Sequence, residues 1–222
     1  MRKSISVILL LALTTVVYGQ DSDFDMPDSL AVVKLEYETL DSAAITALLP
    51  LTNIHFPNIV CYPSEDGIKI AYYTVDRNKW TAFLLPFSQW TNDFNLVNLD
   101  QKGQPELVVK GVIADYGSHG GSGLELMFII NIDSIPTQIF KVSYGCWEEM
   151  FGDINTNGWI KGYDRKIRIT DNSIIIGSLD KKYQPFHWCG LTEIPGGTYM
   201  MDAGQIKKVK YVEAHNRRKK KR

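Results

Sequence analysis

Along most of the chain, apolar residues alternate with polar ones or gather in short runs, and turn-forming residues separate the runs. A period of two marks strands half-buried in a sheet. Leu30–Tyr37 (LAVVKLEY) comes close to alternation. Ile54–Tyr62 is apolar and aromatic, broken by Pro57. Gly67–Val75 (GIKIAYYTV) alternates, and Asp76-Arg77-Asn78-Lys79 joins it to Trp80–Phe87, which predicts a hairpin. Asn98–Asp133 forms the middle of the chain: an acidic turn, an apolar run (Leu107–Ala114), a glycine-rich stretch (Gly117–Gly123) and a second apolar run (Leu124–Ile132). This reads as strand, long loop, strand. Gln138–Tyr144 alternates behind Pro136, and Gly145–Gly162 reads mostly as loop. Asp171-Asn172 joins Lys166–Thr170 to Ser173–Gly177, and Asp202–Gln205 joins Thr198–Met201 to Ile206–Val212, two further hairpins. Tyr183–Gly190 is an aromatic connection.

One segment breaks the period. Asp41 is placed as an N-cap, Ala43, Ala44, Ile45, Ala47, Leu48 and Leu49 follow, and Pro50 stops the run, so a short helix is expected. The fold class that follows is mainly β: an antiparallel sandwich, barrel or propeller-like set of sheets with one short N-terminal helix. Eleven Tyr, nine Phe and five Trp among 222 residues agree, since aromatics suit pleated surfaces.

The ends of the chain read differently from its body. Arg2 and Lys3 precede a short apolar stretch, Ile5–Leu13, and Val17 and Gly19 fit the small-residue positions before a cleavage point. This is the pattern of a secretory signal peptide over residues 1–19. A flexible acidic leader over 20–29, one β-rich domain over 30–216 and a disordered basic tail over 217–222 complete the expected organisation. Of the 24 Lys and Arg, two fall in the signal and six in the tail, which leaves 16 against 25 acidic residues in the body, a net of −9. The expectation is an exported protein, periplasmic, cell-surface or extracellular, with no transmembrane segment in its mature form and no nucleic-acid partner.

Export places Cys61, Cys146 and Cys189 in an oxidising compartment, where two can pair and one is left over. Cys146 and Cys189 each adjoin a Trp at the edge of a loop, whereas Cys61 lies within an apolar run. A Cys146–Cys189 disulfide with Cys61 free is therefore expected.

Two turns carry oxygen donors at alternate positions, as calcium loops do. Asp153, Asn155 and Asn157 occupy places 1, 3 and 5, Gly158 place 6 and Asp164 place 12. Few carboxylates imply a low affinity, on the order of 10⁻⁴ to 10⁻³ M. In the other turn, Asn98, Asp100, Gly103 and Glu106 are in frame, but Lys102 puts a cation where a ligand belongs. NLDQKGQPELVV and FGDINTNG resemble degenerate forms of the D-x-N-x-D-G-x-x-E/D-L turn of FG-GAP and VCBS-type segments in secreted bacterial proteins. The resemblance implies a calcium turn followed by a blade strand.

No residue pattern assigns an activity. GSHGGSG lacks the Lys-Ser/Thr and the helix of a phosphate loop, and Leu124 stands where a serine-hydrolase elbow needs glycine. The leading expectation is a non-enzymatic binding or surface-interaction module for a protein or carbohydrate, with no cofactor beyond calcium. The alternative is a small secreted hydrolase using His119 or His187.

Overall fold

The computed structural model describes residues 29–48, 54–56, 58–74, 78–88, 93–133, 135–152, 158–179 and 194–209. In chain order the elements are β1 (Val33–Lys34), β2 (Tyr37–Leu40), α1 (Ser42–Leu48), β3 (Ile54–Phe56), β4 (Ile59–Ser64), β5 (Gly67–Thr74), β6 (Lys79–Leu85), β7 (Asp93–Val97), β8 (Glu106–Gly117), β9 (Gly120–Asn131), β10 (Thr137–Met150), β11 (Trp159–Asp164), β12 (Ile167–Thr170), β13 (Ser173–Ile176), β14 (Gly197–Asp202) and β15 (Gln205–Lys208). The protein is mainly β, as its alternation requires. All the pairings are antiparallel.

Three sheets stack in layers, and among the described residues none closes into a barrel. The central sheet runs β1-β10-β9-β8-β7, with β11 beside the far half of β10. A second sheet, β2-β6-β5-β4-β3, covers one face of it through Ile59, Ile70, Tyr72, Phe83 and Leu85, which meet Leu107, Val109, Leu126, Phe128 and Ile130. The third, β12-β13-β14-β15, covers the other face through Ile174, Ile176, Tyr199 and Ile206, which meet Val108, Met127, Ile129, Phe140 and Val142. A strand buried on both faces needs apolar side chains at every position. This is why LVV and LMFII are continuous runs while the outer strands alternate. Each fully buried side chain of this kind contributes roughly 1.5–3 kcal/mol.

The short helix forms where expected. Asp41 Oδ1 accepts the N–H of Ala44 at 2.7 Å, an N-cap, and Ile45 packs on the outer face of the second sheet against Val60, Tyr62, Ala71 and Ala82. Arg165 ties the layers together. It is 3% exposed, and its Nε and Nη2 donate to the Ser143 carbonyl beside a register shift in β10, while Nη1 donates to Ile194 O at 2.6 Å.

The structure corrects four of the expected boundaries. Leu30–Tyr37 is not one strand: β1 joins the central sheet, and Tyr37 opens β2 on the second sheet. Ile54–Tyr62 is a hairpin, β3 to β4, turning beside Asn58 at φ 68°. Gly117–Gly123 is not a long loop: β8 and β9 pair as far as Gly117 and Gly120, leaving a two-residue turn at Ser118-His119. Gly145–Gly162 is largely strand, because β10 runs on to Met150 and β11 pairs with it. The last two share a cause. β9 is hydrogen-bonded on both sides along its length, and that pairing overrides the weak strand preference of glycine.

Candidate functional site

The far ends of β8, β9, β10 and β11 run beyond the third sheet as a four-stranded ribbon. Register places three rows of side chains on the same face of this ribbon. Val112, Glu125, Gly145 and Asp164 form the first row; Ala114, Gly123, Trp147 and Gly162 the second; Tyr116, Gly121, Glu149 and Ile160 the third. Five of these twelve positions are Gly or Ala, so the face has a floor of backbone.

Three larger side chains lie over that floor. A Cβ placed on Gly123 would overlap the Trp147 indole; one on Gly121 would overlap the Tyr116 ring; one on Gly145 would overlap the Glu125 carboxylate. The glycines are therefore required for close approach. Each aromatic covers the glycine opposite it and stabilises a strand that glycine alone would weaken. The Tyr116 and Trp147 rings stand 5.6 Å apart at 43°. Tyr116 is 55% exposed and Ile160 74%, so this face presents aromatic and apolar surface outward. Met150 and Phe151, at the end of β10, are also exposed.

The electrostatics of the face are negative. Burial, with Asp164 adding to it, holds the Glu125 carboxyl above its ordinary range. Burial also pushes up the Tyr144 phenol, and Glu125 and Asp93 add to that. No Lys or Arg stands in the three rows. In the next row, Lys110 pairs with Asp93 at 3.3 Å. There a cavity of about 250 Å³ opens between the central sheet and β12, lined by Asp93, Asn95, Lys110 and Arg168 among others.

Of the residues singled out from the sequence, Asp164 lies in the first row, at the exposed end of β11. Asp153, Asn155 and Asn157 lie outside the described residues, as do His187, Cys189, the signal segment and the basic tail. Trp159–Asp164, the last six places of the expected calcium loop, are paired strand. Among the described residues no group of three His, Cys, Asp or Glu is placed to hold a metal ion.

The second turn holds itself. Asp100 Oδ1 accepts the Lys102 N–H, Gln101 and Gly103 take left-handed φ values of 58° and 62°, and Glu106 Oε2 accepts the Leu99 N–H at 2.8 Å. His119 is exposed at the β8–β9 turn, where its Nδ1 meets Ser118 Oγ at 2.7 Å; among the described residues no carboxylate bonds it.

Cys61 is a free, buried thiol, and burial pushes its pKa up to about 12. Cys146 is buried on β10. Cys189, the partner expected for Cys146, lies outside the described residues. Among the described residues no helix is long and apolar enough to cross a membrane.

The platform itself was missed in the sequence. The signal was present as glycines at every second position of GGSG, with an aromatic at 116 and another at 147. Reading it required the β8–β9–β10 register. No family model, no curated protein and no solved structure matches the chain.

Proposed function

We propose that this is an exported, non-enzymatic binding module that takes a carbohydrate chain on the open face of the β8–β11 ribbon. One observation carries the reading: the Tyr116–Trp147 pair laid on a glycine floor. Aromatic faces stack on the apolar face of a sugar ring, and a flat floor admits a chain without a deep pocket. Glu125, Glu149 and Asp164 supply hydrogen-bond acceptors beside the rings. The test is retention on insoluble polysaccharides (cellulose, chitin, peptidoglycan) of the full chain and its Trp147→Ala and Tyr116→Ala variants. Retention lost in both variants, with unchanged circular dichroism, supports the reading. Retention on none of these, or equal retention of all three proteins, rejects it.

A second reading has an observation of its own. Glu125, a carboxyl held up by burial, shares a face with Asp164, and a raised carboxylic acid beside a second carboxylate is what glycoside hydrolysis uses. New reducing ends released from a retained polysaccharide, and lost in Glu125→Gln, would establish it over simple binding. His119, whose ring meets Ser118 Oγ and no carboxylate among the described residues, adds no support for a hydrolase.

Export and the Cys146–Cys189 bridge belong to the same proposal. Cys61 being free leaves that single pairing open. Non-reducing peptide mapping of secreted protein that links Cys61 to either partner would overturn it.

A further inference from the structure

We infer that the ribbon face selects a cationic glycan, an amino-sugar chain with free protonated amines, over its neutral N-acylated counterpart. The inference rests on the carbohydrate reading above and names the ligand of that same face. Its basis is the juxtaposition of aromatics with carboxylates that no cation among the described residues pairs with. Glu125 lies across Gly145 toward Asp164, in the row next to Trp147. Glu149 stands beside Gly121, over which the Tyr116 ring lies. Each ring thus has carboxylates one row away or in its own row.

Among the described residues, the nearby cations are engaged or face elsewhere. Lys110 is bound to Asp93. Lys161 pairs in register with Glu148, whose row alternates to the opposite face.

Each part of the arrangement asks for a different property of the ligand. The rings ask for a flat, apolar face, which a pyranose offers through its axial C–H bonds and a flexible lysine side chain does not. The carboxylates ask for positive charge, because two of them on one half-buried face repel each other until a cation arrives. An ammonium held close to an aromatic face gains from the ring quadrupole as well. A neutral sugar answers the first demand and a basic peptide the second. A polymer carrying an amine on each ring answers both at the repeat of the rings, and the carboxylates then make charge-assisted hydrogen bonds.

The experiment compares a glucosamine hexamer, an N-acetylglucosamine hexamer and hexalysine by calorimetry on the full chain, at a pH where the free amines are protonated. The expected result is that the glucosamine hexamer binds at least about tenfold more tightly than the acetylated one, a difference of roughly 1.4 kcal/mol. In the Glu125→Gln/Asp164→Asn double variant the glucosamine hexamer loses more affinity than the acetylated one, so that the preference disappears. In Tyr116→Ala both sugars weaken together. Equal binding of the two sugars overturns cation selection and leaves the platform standing. Binding of neither sugar overturns both readings. Hexalysine binding as tightly as the glucosamine hexamer, unaffected by Tyr116→Ala, also overturns the inference, because the face would then be an acidic surface for basic peptides.

Discussion

The strands β8, β9 and β10 pass through two environments, and their composition changes at the boundary. Over Leu107–Val109, Leu126–Ile130 and Ile139–Val142 they are covered on both faces and carry almost unbroken apolar side chains. Past Ala114, Gly123 and Gly145 they carry glycine, acid and exposed aromatics, yet the antiparallel pairing resumes beyond the register shift at Ser143–Gly145 and continues to Met150. The backbone is the same; what differs is what lies above and below it. In the covered half, side chains hold three sheets together. In the free half, the glycines let side chains fold down on the sheet, and Tyr116 and Ile160 are left exposed. The proposed division is thus between stability at one end of these strands and recognition at the other.

The largest expected effect comes from breaking the covered half. Phe128 is 2% exposed and meets Phe87 edge-to-face, with ring centroids 5.3 Å apart. Phe128→Ala should cost about 3–5 kcal/mol, through lost transfer energy and the cavity left behind. In a chain of this size that lowers Tm by roughly 10 °C. Tyr116→Ala, on the free half, should shift Tm by only a small fraction of that while removing ligand. Thermal unfolding of the two variants side by side measures the division; equal losses would abolish it.

The boundary itself is sharpened at Gly123. Gly123→Ala places a methyl group where the Trp147 indole lies, so the ring must lift off the sheet. Overpacking of this kind costs about 1–3 kcal/mol. Polysaccharide retention should fall further than stability does, and the near-ultraviolet dichroism of the indole should weaken. Unchanged dichroism and unchanged retention would show that the floor does not need to be flat.

The sequence made the covered half legible and the free half obscure, for physical reasons. Apolar runs and period-two alternation follow directly from burial, so Gly67–Val75, Trp80–Phe87, Leu107–Ala114 and the hairpin at Asp171-Asn172 stand out. The helix is marked by Asp41, whose side chain caps it. The ribbon has no such marker. Gly120, Gly121, Gly123 and Gly145 have low intrinsic strand preference and read as loop; they extend because strands on either side, distant in sequence, pair with them. The aromatic platform is hidden for the same reason, since residues 116 and 147 come together only through register. β11 begins straight after the Gly-Asn-Asp segment that resembled a calcium turn, and turn chemistry there concealed the strand that follows.

The smallest expected effect concerns two acids on the same sheet, one at each end of it. Both are held above the ordinary carboxylate range chiefly by burial, yet they have different work. Glu106, 1% exposed at the start of β8, accepts the Leu99 N–H and so closes the turn that leads into the sheet; Asp100 and Asp133 add to its upward shift. Because its folded pKa is raised, the stability linked to its neutral form is fully present below the unfolded carboxylate range and is lost as pH rises through the folded pKa. Once ionised, the side chain therefore weakens the fold relative to a neutral one of the same shape. Gln keeps an oxygen for Leu99 and carries no charge. Glu106→Gln should thus match or exceed the wild type at pH 7, by something on the order of 1 kcal/mol or less, and the difference should vanish toward acid. Glu106→Ala instead leaves a buried N–H without its acceptor and should cost about 1–3 kcal/mol throughout. Glu125→Gln, at the free end, should reduce amino-sugar binding at pH 7 with little change in Tm. Urea unfolding of the three variants across pH reads all of this together. Glu106→Gln destabilising at pH 7 as much as Glu106→Ala would show that the charge is needed in the turn, and the separation of a structural acid from a binding acid would fall with it.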